Sequence, residues 1–517
     1  MKANFEIINV IFLFIIIFSF NMLIINSSKN AKNNTINIAI ILILLNLVGC
    51  SKKSSFTDTL YITPITPTTT SQSNIGEEVT AWITKFDATW LIQQKGGTIK
   101  FDAIKNGDPI IEIDTTLNYQ LVDGFGYSLT GGSAYVINKM DPTIKANLLN
   151  ELFGAGPNSI GVSYLRVSIG ASDLSKSVFS YDDMPSGQTD INLTNFSLDK
   201  DLEDMVPVLQ SIVAINPSIK ILGSPWSPPS WMKDNNSSIG GSLQPQYYNV
   251  YANYFVKYIQ AMKAKGITID AITIQNEPQN DGNNPSMLMS SIQQLEFIKT
   301  NLGPAFKNAG INTKIIIWDH NCDNISYPVA IYNDSVAKSF VDGAAFHLYA
   351  GNIIALSTVH NAYPEKNIYF TEQWTSGTGT FDGDFKWHFK NVIIGSIKNW
   401  SKVALEWNLA NDIGYGPHTS GGCESCKGAL TIDGSAVKRN VSYYIIAQVS
   451  KFITPGSLRI GSTESNTFSN VAFMRPDGKK VLLVLNENTS DVNFFIKYKG
   501  ALAQIRQSAG SAATYIW

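Results

Sequence analysis

The sequence predicts an α/β fold, a (β/α)8 TIM barrel with an appended antiparallel β-sandwich domain. Two observations lead to this prediction. Eight short apolar runs alternate with helix-like stretches from about residue 120, and strand-like runs divided by turn signals follow near the C-terminus. Hydrophobic residues form 44% of the 517 residues, which allows a large core and excludes wholesale disorder. A doubly wound open sheet is the alternative arrangement of the same runs.

Residues 1–50 have the character of a secretion leader. The apolar run 36–48 follows basic residues and ends in Leu47-Val48-Gly49-Cys50. This ending resembles the lipobox of bacterial lipoproteins, in which the cysteine (here Cys50) carries lipid; a buried helix followed by an ordinary cysteine is the alternative. An earlier apolar run, 11–20, leaves the start of translation open between Met1 and Met22.

Residues 51–78 are rich in threonine, serine and proline, which is typical of an extended tether. A lipid anchor followed by a tether predicts that the folded body is exported. We expect it to be held on a bacterial membrane, at the outer membrane or the cell surface, and to contact lipid only through that anchor.

The predicted barrel occupies residues 119–450. Several of its apolar runs are rich in isoleucine, valine and aromatic residues and end in polar residues or Gly and Pro, as buried parallel strands do. The eight runs are 120–129, 163–170, 219–227, 271–278, 314–320, 343–350, 367–374 and 402–410. Helix-like stretches between them include 199–216, 245–265 and 287–308.

The sandwich domain is predicted from the two ends of the folded body. Within residues 451–517, strand-like runs are divided by the turn signals Pro476-Asp477-Gly478 and Asn488-Thr489-Ser490, and helix-period stretches are absent. Residues 79–118 also contain turn signals, and we expect them to add strands to the same domain.

Charge and composition exclude several classes of function. The formal net charge is −2 and no basic stripe is present, which disfavours nucleic-acid binding. Four cysteines and five histidines are too few for a disulfide scaffold or a His/Cys metal cluster, so we expect no metal and no cofactor. Residues 124–129 lack the third glycine of a dinucleotide-binding fingerprint.

Two glutamates stand at the predicted mouth of the barrel. Glu277 lies at the end of the fourth run and Glu372 at the end of the seventh, where reacting groups of such barrels are found. Glycoside hydrolysis needs paired carboxylates, because one protonates the leaving oxygen and the other attacks or stabilises the anomeric carbon. The alternative is that both glutamates bind cations at the surface.

Further motifs carry a resemblance to a known family. Asn276-Glu277-Pro278 on the fourth strand, with a glutamate on the seventh, is the pattern of the retaining clan of (β/α)8 glycosidases. The sequence also contains Val122-Asp123-Gly124-Phe125-Gly126, Leu165-Arg166-Val167-Ser168, Ser224-Pro225-Trp226-Ser227-Pro228-Pro229-Ser230-Trp231-Met232-Lys233, Phe346-His347-Leu348-Tyr349 and Trp407-Asn408-Leu409-Ala410. From about residue 80 onward, the chain resembles glycoside hydrolase family 30, which includes glucosylceramidases and endo-β-1,6-glucanases.

The resemblance implies a retaining double displacement with Glu277 as acid/base and Glu372 as nucleophile. Two carboxylates ~5–5.5 Å apart cannot both ionise easily, so we expect one pKa to rise and to supply the acid. We expect Asn276 to bond the sugar 2-hydroxyl. Arg166 is expected to hold Glu372 ionised and oriented, with a purely structural salt bridge as the alternative.

Other residues at strand ends are expected to shape the subsite for the reacting sugar. Trp226, Trp374 and Trp407 offer flat faces on which a sugar ring can stack, although a buried tryptophan is often simply core. The resemblance favours Trp226 and Trp407. The remaining residues that it implies in this subsite are Asp173, His347 and Tyr349.

Cys423 and Cys426 have the CxxC spacing, and no second pair exists to complete a zinc site. In an exported protein we expect these two to form a local disulfide. Cys322 would then be a free, buried thiol.

Two features narrow the substrate class. Residues 416–428 resemble the bacterial branch of the family that holds endo-β-1,6-glucanases. The glucuronoxylanase branch uses an arginine after the nucleophile, and none occurs between Glu372 and Trp400, so a neutral β-glucan is expected. The alternatives are a glucosylceramidase-type exo-β-glucosidase and a non-catalytic surface glycan-binding protein; retention of both glutamates argues against the latter.

Overall fold

Residues 76–517 are described by a computed structural model, in which eight parallel strands close into a barrel. One strand overlaps each predicted run, and the eighth pairs with the first, so the prediction of a (β/α)8 barrel is confirmed. The strands are β1 (Gly124–Leu129), β2 (Tyr164–Ser168), β3 (Lys220–Ser224), β4 (Ala271–Thr273), β5 (Lys314–Cys322), β6 (Val341–Gly351), β7 (Asn367–Glu372) and β8 (Ser401–Asn408).

Helices occupy the connections between the strands. The predicted helix 199–216 is in fact two helices, and the second begins with Pro207 in its first turn, where a missing N–H breaks no helical hydrogen bond. Two helices contain π-helical turns, Ile298–Leu302 and Phe389–Gly395. The α-helices are Gly131–Asn138, Pro142–Phe153, Asp199–Leu202, Met205–Ile215, Tyr248–Ala264, Ser291–Phe297, Gly303–Asn308, Ser326–Tyr332, Ser335–Phe340, Ile354–Ala362, Phe381–His388, Ser396–Lys398 and Val441–Ser450.

Both ends of the described chain build the second domain, as predicted. Apolar residues of both segments share one core. One pairing departs from the antiparallel prediction, since residues 110–113 run parallel to residues 495–498. In order across the sheet, the strands are Gln93–Gln94, Glu78–Lys85, Ser511–Ile516, Lys480–Asn486, Ser469–Met474, Leu458–Ser462, Ile110–Leu121, Val492–Tyr498 and Ala501–Gln507, with Ile99–Lys100 beside Glu78–Lys85.

The barrel and the sandwich are joined by a shared core. Phe473 and Leu483 of the sandwich belong to the same buried cluster as the barrel helices, and the helix Val441–Ser450 packs between the domains. The sandwich therefore packs directly against the barrel.

Short strands in the loops above the barrel complete the fold near its mouth. Thr375–Ser376, directly after β7, pairs with Cys426–Lys427, and Ala410–Asn411 pairs with the hairpin Leu430–Asp433 and Ala436–Arg439. The predicted leader, Cys50 and the tether up to residue 75 lie outside the described residues. Between residues 76 and 517, no helix is long and apolar enough to cross a bilayer.

Candidate active site

Arg166 lies at the centre of the barrel mouth. It projects inward from β2 and is fully buried. Its Nη1 donates to Glu372 Oε2 at 2.6 Å, and its Nη2 donates to Asp319 Oδ2 at 2.8 Å and to Asn276 Oδ1 at 2.6 Å. One guanidinium therefore links groups from three other strand ends, which is the kind of forked recognition that Arg provides and Lys does not.

Two of the predicted sugar-stacking residues enclose this guanidinium. Arg166 Cζ lies 4.8 Å from the ring centroid of Trp226 and 5.7 Å from that of Trp407, within cation–π range. Both rings line the pocket but are almost completely buried. Packing against Arg166 is therefore one role of these rings, beside any contact with sugar.

Asp319, at the mouth end of β5, is a central site residue that the sequence analysis missed. Its carboxylate accepts hydrogen bonds from Thr273 and Thr371, both at 2.7 Å, and from Ser224 at 2.9 Å. Burial by itself raises the pKa of Asp319, but Arg166 and the surrounding donors outweigh it and hold the pKa well below its usual range. Asp319 is therefore a permanent buried anion.

Glu277 and Glu372 share a neighbour, His347. Its Nδ1 lies 3.1 Å from Glu277 Oε1 and 3.8 Å from Glu372 Oε1, so both carboxylates lie within ion-pairing reach of one ring nitrogen. Asn280 donates to Glu277 Oε2 at 2.7 Å, and Tyr349 donates its hydroxyl proton to Glu372 Oε1 at 2.9 Å. The two glutamates therefore flank one small volume of the pocket.

The electrostatics correct one expectation. Burial by itself raises the pKa of Glu277, but His320 and His347 beside it lower the pKa below its usual range. Burial also dominates at Glu372, whose pKa is raised although His347 and Arg166 oppose the shift. The raised pKa was expected at Glu277, but it belongs to Glu372.

His347 itself has a raised pKa. Burial opposes protonation of the ring, but the charge of Glu372 and the contacts with Asp319 and Glu277 raise the pKa of His347 to about 9. The Glu277–His347 pair therefore retains one proton at neutral pH, carried by the ring or by the carboxyl group.

The backbone beneath these groups is strained. Glu277, Trp318 and Asp319 have positive φ angles of 45°, 72° and 60°, a conformation that residues with side chains rarely adopt. Such strain persists only where the surrounding structure enforces it, and it concentrates at functional sites.

A pocket of about 500 Å³ opens above the two glutamates. The predicted residues Asp173, Trp374 and Tyr349 line it together with Trp226 and Trp407. Three others, Arg166, Asn276 and His347, lie among the carboxylates rather than in the lining. His347 is fully buried, so the structure places it behind the glutamates instead of beside a sugar hydroxyl.

Cys423 and Cys426 form a disulfide that also lines the pocket, and Cys322 is the free, buried thiol among the described residues. Residues that the sequence analysis did not select complete the site: Asp319, Asn280 and His320. Asp319 and His320 are polar residues at the mouth end of the fifth run, and this position in the sequence could have identified both as site residues. The histidine count did not reveal that two histidines approach one glutamate.

Comparisons with known proteins agree with this architecture. The TIM-barrel domain model of glycosyl hydrolase family 30 matches residues 122–453, and the β-sandwich domain model of the same family matches residues 456–515. An endo-1,6-β-D-glucanase of Neurospora crassa is 37% identical over 400 residues, which are 74% of this chain and 82% of that protein. The lysosomal acid glucosylceramidase of Mus musculus is 28% identical over 439 residues, 79% of this chain and 83% of that protein. A solved endo-β1,6-glucanase superposes with a TM-score of 0.79 at 35% identity, covering 85% of this chain and 99% of that one.

Proposed function

We propose that this chain, which belongs to glycosyl hydrolase family 30 and is a glycoside hydrolase, cleaves β-1,6-linked glucan internally with retention of configuration. The β-1,6 linkage is inferred from sequence similarity. The endo-1,6-β-glucanases match this chain at 35–37% identity, whereas the mouse glucosylceramidase matches it at 28%.

The pocket chemistry supports a neutral substrate. Among the described residues, those lining the pocket include no Lys or Arg, while Glu277, Asp281 and Glu372 give the lining an acidic character. An acidic glycan would meet like charges there, whereas the hydroxyl groups of a neutral glucan can donate to these carboxylates. This favours a β-glucan over an acidic xylan.

In the first step that we propose, Glu372 attacks the anomeric carbon. Arg166 and Tyr349 each hold one oxygen of its carboxylate, which fixes the orientation of the nucleophile. The Glu277–His347 pair delivers its proton to the leaving C6 oxygen of the adjacent glucose. The products of this step are a covalent glycosyl ester on Glu372 and a shortened glucan with a free hydroxyl group.

In the second step, Glu277 acts as the base. The carboxylate takes a proton from a water molecule that enters from the pocket, and the resulting hydroxide attacks the anomeric carbon and releases Glu372. The proton returns to the Glu277–His347 pair, so the enzyme is restored. Two displacements at the same carbon leave the product with the β configuration.

A panel of substrates tests this proposal. The purified chain is incubated with β-1,6-, β-1,3- and β-1,4-glucans, xylan and glucosylceramide, and the products are sized at early times. We expect intermediate-length oligosaccharides from β-1,6-glucan alone. Release of glucose only, or cleavage of glucosylceramide, would favour the exo-β-glucosidase alternative. Binding to β-1,6-glucan without cleavage would favour the glycan-binding alternative.

We also propose that the chain is exported and held on a bacterial membrane by lipid on Cys50. The supporting observations are the ending Leu47-Val48-Gly49-Cys50 and the Cys423–Cys426 disulfide, which suits an oxidising compartment. Cys50→Ala should release the protein from membranes. Unchanged membrane fractionation, with an unchanged mass of the intact protein, would contradict the proposal.

A further inference from the structure

We propose that the pocket holds a reversible zinc site formed by Glu277, His320 and His347, and that zinc bound there inhibits the enzyme. The ligand atoms of these residues lie within 4.8 Å of one another. Nδ1 of His347 is 3.1 Å, and Nδ1 of His320 is 3.7 Å, from Glu277 Oε1. A tetrahedral zinc ion with bonds of ~2.0–2.2 Å needs ligand atoms roughly 3.3–3.5 Å apart, and the two measured separations bracket that value.

His320 provides an independent observation that points to a ligand. It is 8% exposed, and its Nδ1 is buried without a hydrogen-bond partner among residues 76–517. At 3.7 Å, Glu277 Oε1 is too distant for a hydrogen bond. A buried imidazole nitrogen without a partner loses the hydrogen bond that it makes with water in the unfolded chain. Coordination of a metal ion would satisfy it.

His347 is held as a metal-binding histidine is held. Its Nε2 lies 3.2 Å from Asp319 Oδ1, and because a carboxylate only accepts, the ring proton on Nε2 is directed at Asp319. That arrangement turns Nδ1 toward Glu277. Carboxylate–histidine pairs of this kind fix the orientation of imidazole ligands and raise their basicity.

The ligand set and the open side of the site favour zinc. Two histidines and one glutamate form a well-known set for zinc with an exchangeable fourth position. Glu277 and His320 both line the pocket, so the fourth position is accessible to water. Imidazole ligands favour zinc and its neighbours over magnesium or calcium, which prefer oxygen.

Inhibition follows if Glu277 has the role proposed above, whereas zinc binding itself does not depend on that role. Binding of zinc to Glu277 Oε1 and His347 Nδ1 releases the proton of the Glu277–His347 pair to solvent, and the ion then occupies both atoms that held it. The leaving oxygen can then receive no proton from the pair. Removal of zinc by a chelator should restore activity, because no bond of the protein is changed.

The test measures zinc binding directly. The purified chain with its disulfide intact is dialysed against zinc chloride, and bound zinc is counted; cobalt in place of zinc reports tetrahedral coordination through its visible absorption. We expect one ion per chain. His320→Asn should weaken binding by at least the ~10–100-fold that loss of an outer partner costs. His320→Gln provides a second variant should the first fold poorly.

His360→Asn is the matched control, because His360 stacks on Trp400 with ring centroids 3.9 Å apart and does not line the pocket. It should leave zinc affinity unchanged. No zinc bound by the wild-type chain, or equal affinity in the wild type and a folded His320 variant, overturns the site. If zinc binds through His320 but does not inhibit hydrolysis of β-1,6-glucan, the inhibitory role is overturned. If the zinc-free enzyme hydrolyses no glucan at all, the result counts against the proposed function and not against the zinc site.

Discussion

The two ends of the barrel both carry cavities and charged residues, yet they differ in how those charges are held. At the N-terminal end of the strands, a cavity of about 910 Å³ is lined by residues that include Lys220, Asp270 and Lys314. Lys220 pairs with Asp270 at 2.7 Å, but half of the Lys220 side chain is exposed. At the mouth, the pocket is only about 500 Å³, and the Arg166–Asp319 pair below it is fully buried.

Convergence of buried charge, rather than cavity size, therefore distinguishes the proposed reacting end of this barrel from the opposite end. Exposed ion pairs contribute ~0–1 kcal/mol and are screened by salt. A buried charge network is costly to desolvate and persists only when each group is paired. The mouth also has positive φ angles at Glu277 and Asp319, which the rest of the fold must enforce.

The largest effect should follow from removal of the nucleophile. Glu372→Gln keeps the shape but cannot form the glycosyl ester, so we expect turnover of β-1,6-glucan to fall by roughly four orders of magnitude or more. Initial rates on glucan measure this. Glu406→Gln is the matched control, since Glu406 is a buried carboxylate of β8 paired with His388 at 2.8 Å, outside the pocket.

A second variant tests the acid/base role of Glu277. Glu277→Ala should spare aryl glycosides whose leaving groups need no proton, while deglycosylation slows for want of a base. Added azide should restore turnover and give a β-glycosyl azide. An α-azide would contradict retention, and labelling of Glu277 instead of Glu372 by a 2-fluoro glycoside would reverse the two roles.

The network itself should show the next largest effect. Arg166→Lys retains the charge but cannot reach Glu372, Asp319 and Asn276 together, so the nucleophile is misplaced. We expect kcat to fall by about 10²-fold with a smaller change in KM. Arg439→Lys is the control, because Arg439 makes a similar forked pair with Glu151 away from the pocket. Equal losses of kcat in the two variants would show that the geometry of Arg166 at the mouth matters no more for catalysis than that of Arg439 at the periphery.

The sequence predicts those residues at the mouth of the barrel that a local pattern identifies, but not those that matter through contacts between distant strands. Glu277 and Glu372 were accessible because each follows an apolar run, and the barrel places strand ends together. Asp319 has the same kind of position, but its importance lies in contacts with Thr273, Thr371 and Ser224 on three other strands, which no local pattern encodes.

The proton on the Glu277–His347 pair was equally inaccessible from the sequence, because it depends on distances between residues 70 positions apart. The helix 199–216 was predicted as one element for a related reason. The break between Leu202 and Met205 is a matter of local geometry.

A smaller effect should appear in the pH dependence of stability. Burial, and then the charge of Glu372, raise the pKa of Asp173 to about 7. Between pH ~4 and 7 the folded protein keeps a proton there that the unfolded chain has released, so the free energy of unfolding falls as pH rises. Urea unfolding at pH 4.5 and at pH 7.5 measures the free energy of unfolding at each pH. Asp173→Asn should make the difference between the two values smaller by roughly 2–4 kcal/mol. An unchanged difference would show that Asp173 is not held neutral in the folded protein.

The smallest effect should be found at the other end of the barrel, where it completes the comparison. Asp270→Asn removes the carboxylate that pairs with Lys220 at 2.7 Å, but Lys220 remains in contact with water. We expect the free energy of unfolding to change by less than ~1 kcal/mol, and less still at high salt, because exposed pairs are weak and screened. The kcat on β-1,6-glucan should stay within about twofold of the wild type, since the substituted residue lies at the opposite ends of the strands. A large loss of kcat in a variant that unfolds normally would mean that the larger cavity takes part in the reaction, and burial of charge would then no longer distinguish the two ends.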